Sequence, residues 1–340
     1  MSALSVAFLG TGGIAEKHSQ FLKDCSDVQI VGGCDIREDA VSSLWQRTWG
    51  DQDDAQCPPS FTDADQMYEQ TKPDAVVICS PHTLHFEHCT QAIDRGCHVL
   101  VEKPMVTSAA DAYKLRDKVK ESGKVLIVAF NTSFSPEFSY VRNTIRDKSL
   151  GELRQVCGYL TQPWLRFVRG TGAWRMDPKL SGGGQAYDSG AHMFNSLCWS
   201  VESNVAKVQA FVDSLGHPVD INSNINVLFE NGVMASIVIS GECEAHVGHM
   251  TFIFTDGRID VDGWGASWMN VHDDKGQVKY PKITDDMDPG APAKNFVDAI
   301  LGRAEPRTGP NNGIVHSELM DAIYESARTG SVATPKRGIV

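Results

Sequence analysis

A doubly wound α/β domain, followed by an α+β domain with a large, open, mainly antiparallel sheet, is the fold class predicted by this 340-residue sequence. Three observations predict it. In the first third, short apolar runs alternate with helix-length segments, as in a parallel sheet covered on both faces. Beyond about residue 130, strand-like runs follow one another, with Asn-Gly at 231–232 and Asp-Gly at 256–257 as strong hairpin signals. The length exceeds one typical domain and leaves each of two domains enough chain for a core.

The apolar runs of the first domain are LSVAFLG (4–10), VQIVGGCD (28–35), DAVVICS (74–80), HVLVEKP (98–104) and KVLIVAF (124–130), with a helix over 107–122. The polar, acidic and proline-bearing WGDQDDAQCPPS (49–60) reads as a surface loop. The second domain opens with a helix near 136–148, a glycine-rich turn SGGG (181–184) and a helix over about 185–199. AKVQAFVDS, INVLFEN, GVMASIVIS, MTFIFTD and GRIDVDG supply its strands, and helices near 292–302 and 311–329 close the chain. The expected division is 1–128, 129–290 and a helical tail, 291–340, that packs back on the body.

A formal charge of −12 and a pI near 5.3 exclude the basic surface that nucleic acid or anionic lipid requires. Nine scattered cysteines, an odd number, argue against a disulfide framework and for a reducing, cytoplasmic setting. LSVAFLG lacks a charged leader and breaks early into GTGG, and no later run is long and apolar enough for a membrane helix, so neither an export signal nor a span is expected.

Directly after the first predicted strand comes GTGGIA, in which Gly10, Gly12 and Ala15 match G-x-G-x-x-G/A. Positions without side chains let backbone N–H groups approach a pyrophosphate at the positive end of the helix that starts there. Gly10, Gly12, Gly13 and Ile14 are therefore candidate cofactor contacts. Asp35 ends the second predicted strand, where a carboxylate can bind a ribose 2′-OH. It would repel a 2′-phosphate and favours NAD, although Arg37, two residues on, could accept NADP.

VLVEKPMVTSAADAYKL (99–115), with Glu102-Lys103-Pro104 at a strand end, resembles the hallmark of the glucose-fructose oxidoreductase / inositol dehydrogenase / rhizopine catabolism (Gfo/Idh/MocA) family. The resemblance extends to the glycine turn, CSPHTLHFEH, AFNTSFSPEF (129–138), WRMDPKLSGGGQAYDSGAH (174–192) and FVDAILG…YESARTG. It implies a Rossmann domain, an open-sheet domain, and NAD(P)-dependent oxidation or reduction of a sugar, cyclitol or related polyol. It also implies a homodimer or homotetramer formed through the sheet. Independently, apolar residues on both faces of runs such as MASIVIS call for a covering partner.

His82, His85 and His88 are three apart, a spacing that on a helix fans them over about 120° rather than onto one point, so no metal site is expected. The resemblance places Ser80, Pro81, His82 and His85 beside the cofactor. It also places Lys103 next to the nicotinamide, bonded to the substrate oxygen, with Glu102 available to hold the ammonium. In YDSGAH, Asp188 and His192 are four apart on a predicted helix, so their side chains share a face and can form a carboxylate–imidazole dyad with His192 as general base. The family carries its substrate-binding aspartate and catalytic histidine in this D-x-G-x-H pattern. Asn195 departs from the commoner His-x-x-Asp and would leave His192 less basic. Asn131, Trp174 and Arg175 are further candidate substrate contacts, and the loops 162–180 and 242–250 are expected to shape the pocket.

In the expected oxidation, His192 removes the hydroxyl proton with help from Asp188, and Lys103 holds the oxygen as hydride leaves. Two other classes stay open: a non-catalytic NAD(P)-binding sensor or scaffold, and a redox-assisted glycoside-cleaving enzyme with tightly bound NAD. The joint presence of Lys103, Asp188 and His192 speaks against the sensor.

Overall fold

The computed structural model describes residues 3–50, 56–170, 173–281 and 291–338. Its first half alternates β1 (Leu4–Leu9), α1 (Gly13–Lys23), β2 (Val28–Cys34), α2 (Ala40–Trp49), β3 (Ser60–Phe61), α3 (Ala64–Thr71), β4 (Ala75–Ile78), α4 (His85–Asp94), β5 (His98–Val101), α5 (Ala109–Ser122) and β6 (Leu126–Val128). The six strands are all parallel, in the order β3-β2-β1-β4-β5-β6. Helices cover both faces, which is why the strands are apolar throughout. Ala7, Val76 and Val99 face a core with Met67, Ala92 and Leu115, while Val6, Phe8 and Leu100 face one with Ala15, Leu22 and Leu44. Chain order reverses between β1 and β4, and the crevice at that switch point is where an open α/β sheet binds ligands.

The second half runs α6 (Pro136–Asp147), β7 (Leu153–Thr161), α7 (Trp164–Gly170), α8 (Pro178–Ser181), α9 (Gly190–Val201), β8 (Val205–Asp213), β9 (Asn222–Phe229), β10 (Met234–Ser240), β11 (Val247–Phe254), β12 (Arg258–Asp262), β13 (Met269–His272), β14 (Val278–Lys279), α10 (Pro292–Ile300) and α11 (Pro310–Thr329). Its eight-stranded sheet has the order β14-β13-β12-β11-β7-β10-β9-β8 and is antiparallel except where β7 lies parallel to β10. The sheet alternates sharply: Ala235, Ile237 and Ile239 face α9 and α11, while Met234 and Val238 point outward.

Four strands escaped the sequence reading: β3, β13, β14 and β7, the last of which sits centrally between β11 and β10. The predicted helix over 185–199 begins instead at Gly190, because residues 184–189 are held in a turn. In the loop expected over 49–60, residues 51–55 lie outside the described residues, as do 282–290 at the expected end of the second domain. Phe296 and Val297 of α10 join the core of the first sheet, Ile314 of α11 joins its other core, and Leu319, Met320 and Ile323 enter the core of the second.

Candidate active site

At the mouth of the first sheet, Gly10 has φ +86°, and a Cβ there would lie 2.7 Å from the Cys79 carbonyl carbon, so only glycine lets β1 turn this closely past β4. Added Cβ atoms at Gly12 and Gly13 would meet nothing within 4 Å, and the Gly12 N-cap makes no side-chain bond to the first turn of α1. Free amides facing open space suit a pyrophosphate. Across from them, Asp35 Oδ2 accepts from the Thr11 amide at 2.8 Å and its hydroxyl at 3.2 Å, while Oδ1 accepts from the Arg37 amide at 3.1 Å. These bonds fix the carboxylate beside the glycine turn, at the end of β2. Arg37 is exposed beside it. The residues present therefore fit NAD.

A cavity of about 420 Å³ adjoins this cradle and lies between the two halves of the chain. Ile14, Ser80, His82, Glu102, Lys103 and Asn131 line it from the first half, and Trp174, Arg175, Asp188 and His192 from the second. Of the loops expected to shape it, one contributes Gln162, Pro163, Trp164 and Phe167, and the other His246. Pro81 precedes the short turn that carries His82.

Asp188 is the hub. Its Oδ1 accepts from Lys103 Nζ at 2.7 Å, and Oδ2 accepts from Trp164 Nε1 and Arg175 Nε, both at 2.8 Å. Lys103 Nζ also donates to the Asp188 carbonyl at 2.8 Å. Burial alone would raise the Asp188 pKa, but Lys103 and Arg175 outweigh it and hold the carboxyl well below its ordinary range.

The expected Asp188–His192 dyad is therefore corrected. Asp188 precedes α9, so the two residues do not share a helix face, and its carboxylate is occupied by Lys103, Trp164 and Arg175. His192 Nδ1 is buried with no hydrogen-bond partner among the described residues, and the ring stands edge-on to Trp264 at 5.1 Å. Burial, reinforced by the Lys103 charge, pushes its pKa down to about 3. One turn along α9, Asn195 Nδ2 donates to Ser133 Oγ at 2.5 Å.

Two further expectations change. Glu102 does not hold the Lys103 ammonium: its Oε1 lies 2.7 Å from His18 Nε2, and Oε2 accepts only the Lys103 backbone amide at 3.2 Å. Burial would raise this carboxyl, yet the His18 bond and the Lys103 charge bring it below the usual value. His85, expected beside the cofactor, does not line the cavity: the ring is fully buried and its nitrogens face the carbonyls of Pro104 at 2.7 Å and Ser80 at 2.9 Å. The trio His82, His85 and His88 separates: His82 Nδ1 faces the Ser181 carbonyl at 3.0 Å, and His88 Nδ1 faces Ser80 Oγ at 2.8 Å. No group of three or more metal-ligating side chains occurs among the described residues.

The sequence reading missed Lys17, Gln162, Trp164, Phe167, His246 and Trp264 in the cavity wall. The tryptophans carry no local motif, and only the fold brings them to Asp188 and His192. The turn that presents Asp188 is clamped from afar. Asp220 accepts from the Gly184 amide at 2.6 Å, the Ala186 amide at 2.8 Å and the Tyr324 hydroxyl at 2.6 Å, and a side chain at Gly184 would collide with the Asp220 backbone.

Behind the cavity, His316 is fully buried between Phe130 and Tyr187 with neither ring nitrogen bonded among the described residues, and burial pushes its pKa down to about 3. The folded state thus refuses a proton that the unfolded chain accepts below its ordinary pKa of 6.5. Stability is complete above that value and is lost as pH falls from it toward 3. At pH 5, His316 alone should remove roughly 2 kcal/mol, and His192 a similar amount. His316→Phe should narrow the difference between melts recorded at pH 7.5 and pH 5, and an unchanged difference would show that this imidazole is not responsible.

Comparison with known proteins agrees with the geometry. A model described as "Oxidoreductase family, NAD-binding Rossmann fold" matches residues 4–130, and the "GFO/IDH/MocA C-terminal domain" matches residues 138–260. D-glucoside 3-dehydrogenase of Escherichia coli (strain K12) is 25% identical over 366 residues, covering 97% of each chain. Among solved structures, an oxidoreductase domain protein from Kribbella flavida superposes with a TM-score of 0.88 at 17% identity, covering 99% of this chain and 100% of that one. The WlbA dehydrogenase from Bordetella pertussis, in complex with NADH and UDP-GlcNAcA, gives 0.83 at 22% identity over 98% of both. With both of its halves matched in order, the chain belongs to the Gfo/Idh/MocA family of oxidoreductases, whose N-terminal domain is an NAD-binding Rossmann fold.

Proposed function

We propose that the protein transfers a hydride between a nicotinamide and a secondary alcohol or ketone of a sugar, cyclitol or related polyol. The observation that carries this reading is the meeting of the Lys103 ammonium, from the end of β5, and the His192 imidazole, from the first turn of α9, in one cavity. That cavity falls within the roughly 300–1,000 Å³ of small-molecule sites. Its aromatic walls suit the apolar face of a sugar ring. The similarity to D-glucoside 3-dehydrogenase supports a carbohydrate substrate.

When bound, nicotinamide supplies the hydride acceptor or donor. Lys103, oriented by Asp188, donates to the reacting oxygen and stabilises the negative charge that develops there. His192, kept neutral by burial, accepts the hydroxyl proton in oxidation and returns it in reduction. Asp188 acts by aiming Lys103 rather than by bracing the imidazole. Incubating the protein with NAD⁺ and a polyol panel, and following absorbance at 340 nm, tests the reading. Tight NAD binding with no turnover of any sugar, cyclitol or glycoside would replace it with the sensor.

Asp35 favours NAD over NADP. Asp35→Ser should move the ratio of kcat/KM values toward NADP⁺ by about tenfold or more, since it removes the charge that opposes a 2′-phosphate. A ratio that stays put in steady-state kinetics would place the ribose elsewhere.

The outward sheet face exposes Tyr159, Phe211, Leu228, Met234, Val238 and Val247, and this supports a homodimer or homotetramer assembled across it. Phe211→Glu with Val238→Glu should convert the assembly to monomers in light scattering, whereas a monomeric wild type would overturn the assignment. No helix among the described residues is long and apolar enough to cross a membrane. All nine cysteines are unpaired, which supports a reducing, cytoplasmic location.

A further inference from the structure

The hydrogen-bonding capacity of the cavity is unbalanced. Both carboxylates in its wall are already consumed by the protein's own donors: Asp188 by Lys103, Trp164 and Arg175, and Glu102 by His18 and the Lys103 amide. Beyond Lys103, which is spent on Asp188, the cations Arg175 and Lys17 keep donors to spare. Arg175 spends only Nε, on Asp188, so its two terminal nitrogens make no hydrogen bond to the described residues. Its guanidinium centre lies 4.3 Å from the ring of Trp174 and 5.6 Å from that of Phe167. Lys17, at the cradle side of the same cavity, has no acidic partner among the described residues.

A guanidinium anchored along one edge and packed against aromatic rings keeps its remaining N–H groups in a fixed fork, a geometry that matches the two oxygens of a carboxylate or phosphate. The hydroxyls of a neutral polyol donate as well as accept, and strong acceptors are what this wall lacks. We infer that the substrate carries an anionic group, a polyol ring bearing a carboxylate or phosphate, with Arg175 as its recognition residue. The inference rests on the hydride-transfer reading and narrows its substrate class.

Calorimetric titration of the NAD-loaded protein with D-glucose, D-glucuronate and D-glucose 6-phosphate tests it and separates the carboxylate from the phosphate. At least one of the acidic sugars should bind about tenfold or more tightly than D-glucose, a difference of about 1.4 kcal/mol. Arg175→Gln should abolish the preference, and Arg175→Lys, which keeps the charge without the fork, should lose most of it. Trp164→Phe removes the other donor to Asp188 Oδ2 and should retain it. Equal binding of all three sugars, no binding by either acid, or a preference that survives Arg175→Gln overturns the inference. NADH formation in the same samples reads the other claim separately. Turnover of a neutral sugar with indifference to the acids refutes the anionic class alone, and Arg175-dependent binding without turnover of any polyol refutes hydride transfer alone.

Discussion

Lys103→Met should lower kcat by a factor on the order of 10³ while leaving NADH binding close to wild type. The ammonium donates directly to Asp188 Oδ1, and it sits at the carboxyl end of β5, the sheet edge facing the cofactor cradle. Methionine keeps most of the apolar stem and removes the charge, so the reacting oxygen loses the donor that becomes more valuable as alkoxide character grows. Asp188 retains Trp164 and Arg175 on its other oxygen, which limits the stability cost to about 1–3 kcal/mol and leaves the variant folded. Single-turnover measurement of NADH formation, with fluorescence titration of NADH, separates the chemical step from binding. A kcat within about threefold of wild type would remove Lys103 from the chemistry.

His192→Asn should reduce kcat by about 10²–10³ and should also change the pH profile. Burial first, and the Lys103 charge next, bring the imidazole down to about 3, whereas Glu102 and Asp188 pull the other way. The ring is therefore neutral at physiological pH and ready to accept a proton. Oxidation in the wild type should persist as pH falls below 6.5, because the base is lost only as pH approaches the folded value. Reduction needs the protonated ring and should accelerate toward acid over the same interval. The rise of reduction toward acid should vanish in the asparagine variant. Profiles of kcat/KM in the two directions decide the matter, and an acidic limb for oxidation centred near 6.5 would identify some other, ordinarily exposed group as the base.

The elements most legible in the sequence were those whose signal is local. The glycine turn, the EKP strand end and the two hairpins each need only a few adjacent residues, and all fall where expected. β7 was illegible because its pattern is set by neighbours. Arg154 and Gln155 are both exposed, and Gly158, where a β-carbon would come within 2.9 Å of Met193, supplies no apolar cue. The Asp188–His192 pairing failed for a related reason. The four-residue spacing presumes a helix through 188, yet Asp220, distant in sequence, captures the amides of Gly184 and Ala186 and delays helix entry to Gly190. Lys103, Asp188, Trp164 and Arg175 form a single unit only after the two halves meet, so the sequence could nominate Lys103, Asp188 and Arg175 but neither Trp164 nor the bonds that join them.

The last helix belongs to neither half alone. Tyr113 of α5 bonds Glu318 of α11, Ala109 donates to Asp321 at 2.9 Å, and Ser326 Oγ accepts from the amide of Ala210 in β8 at 3.0 Å. Because one helix is bonded to the nucleotide-binding half and to the sheet half together, melting of either should carry the other with it. Cutting the chain ahead of α11 would strip apolar cover from both sides at once, so the molecule lives or dies as one cooperative body despite its two sheets.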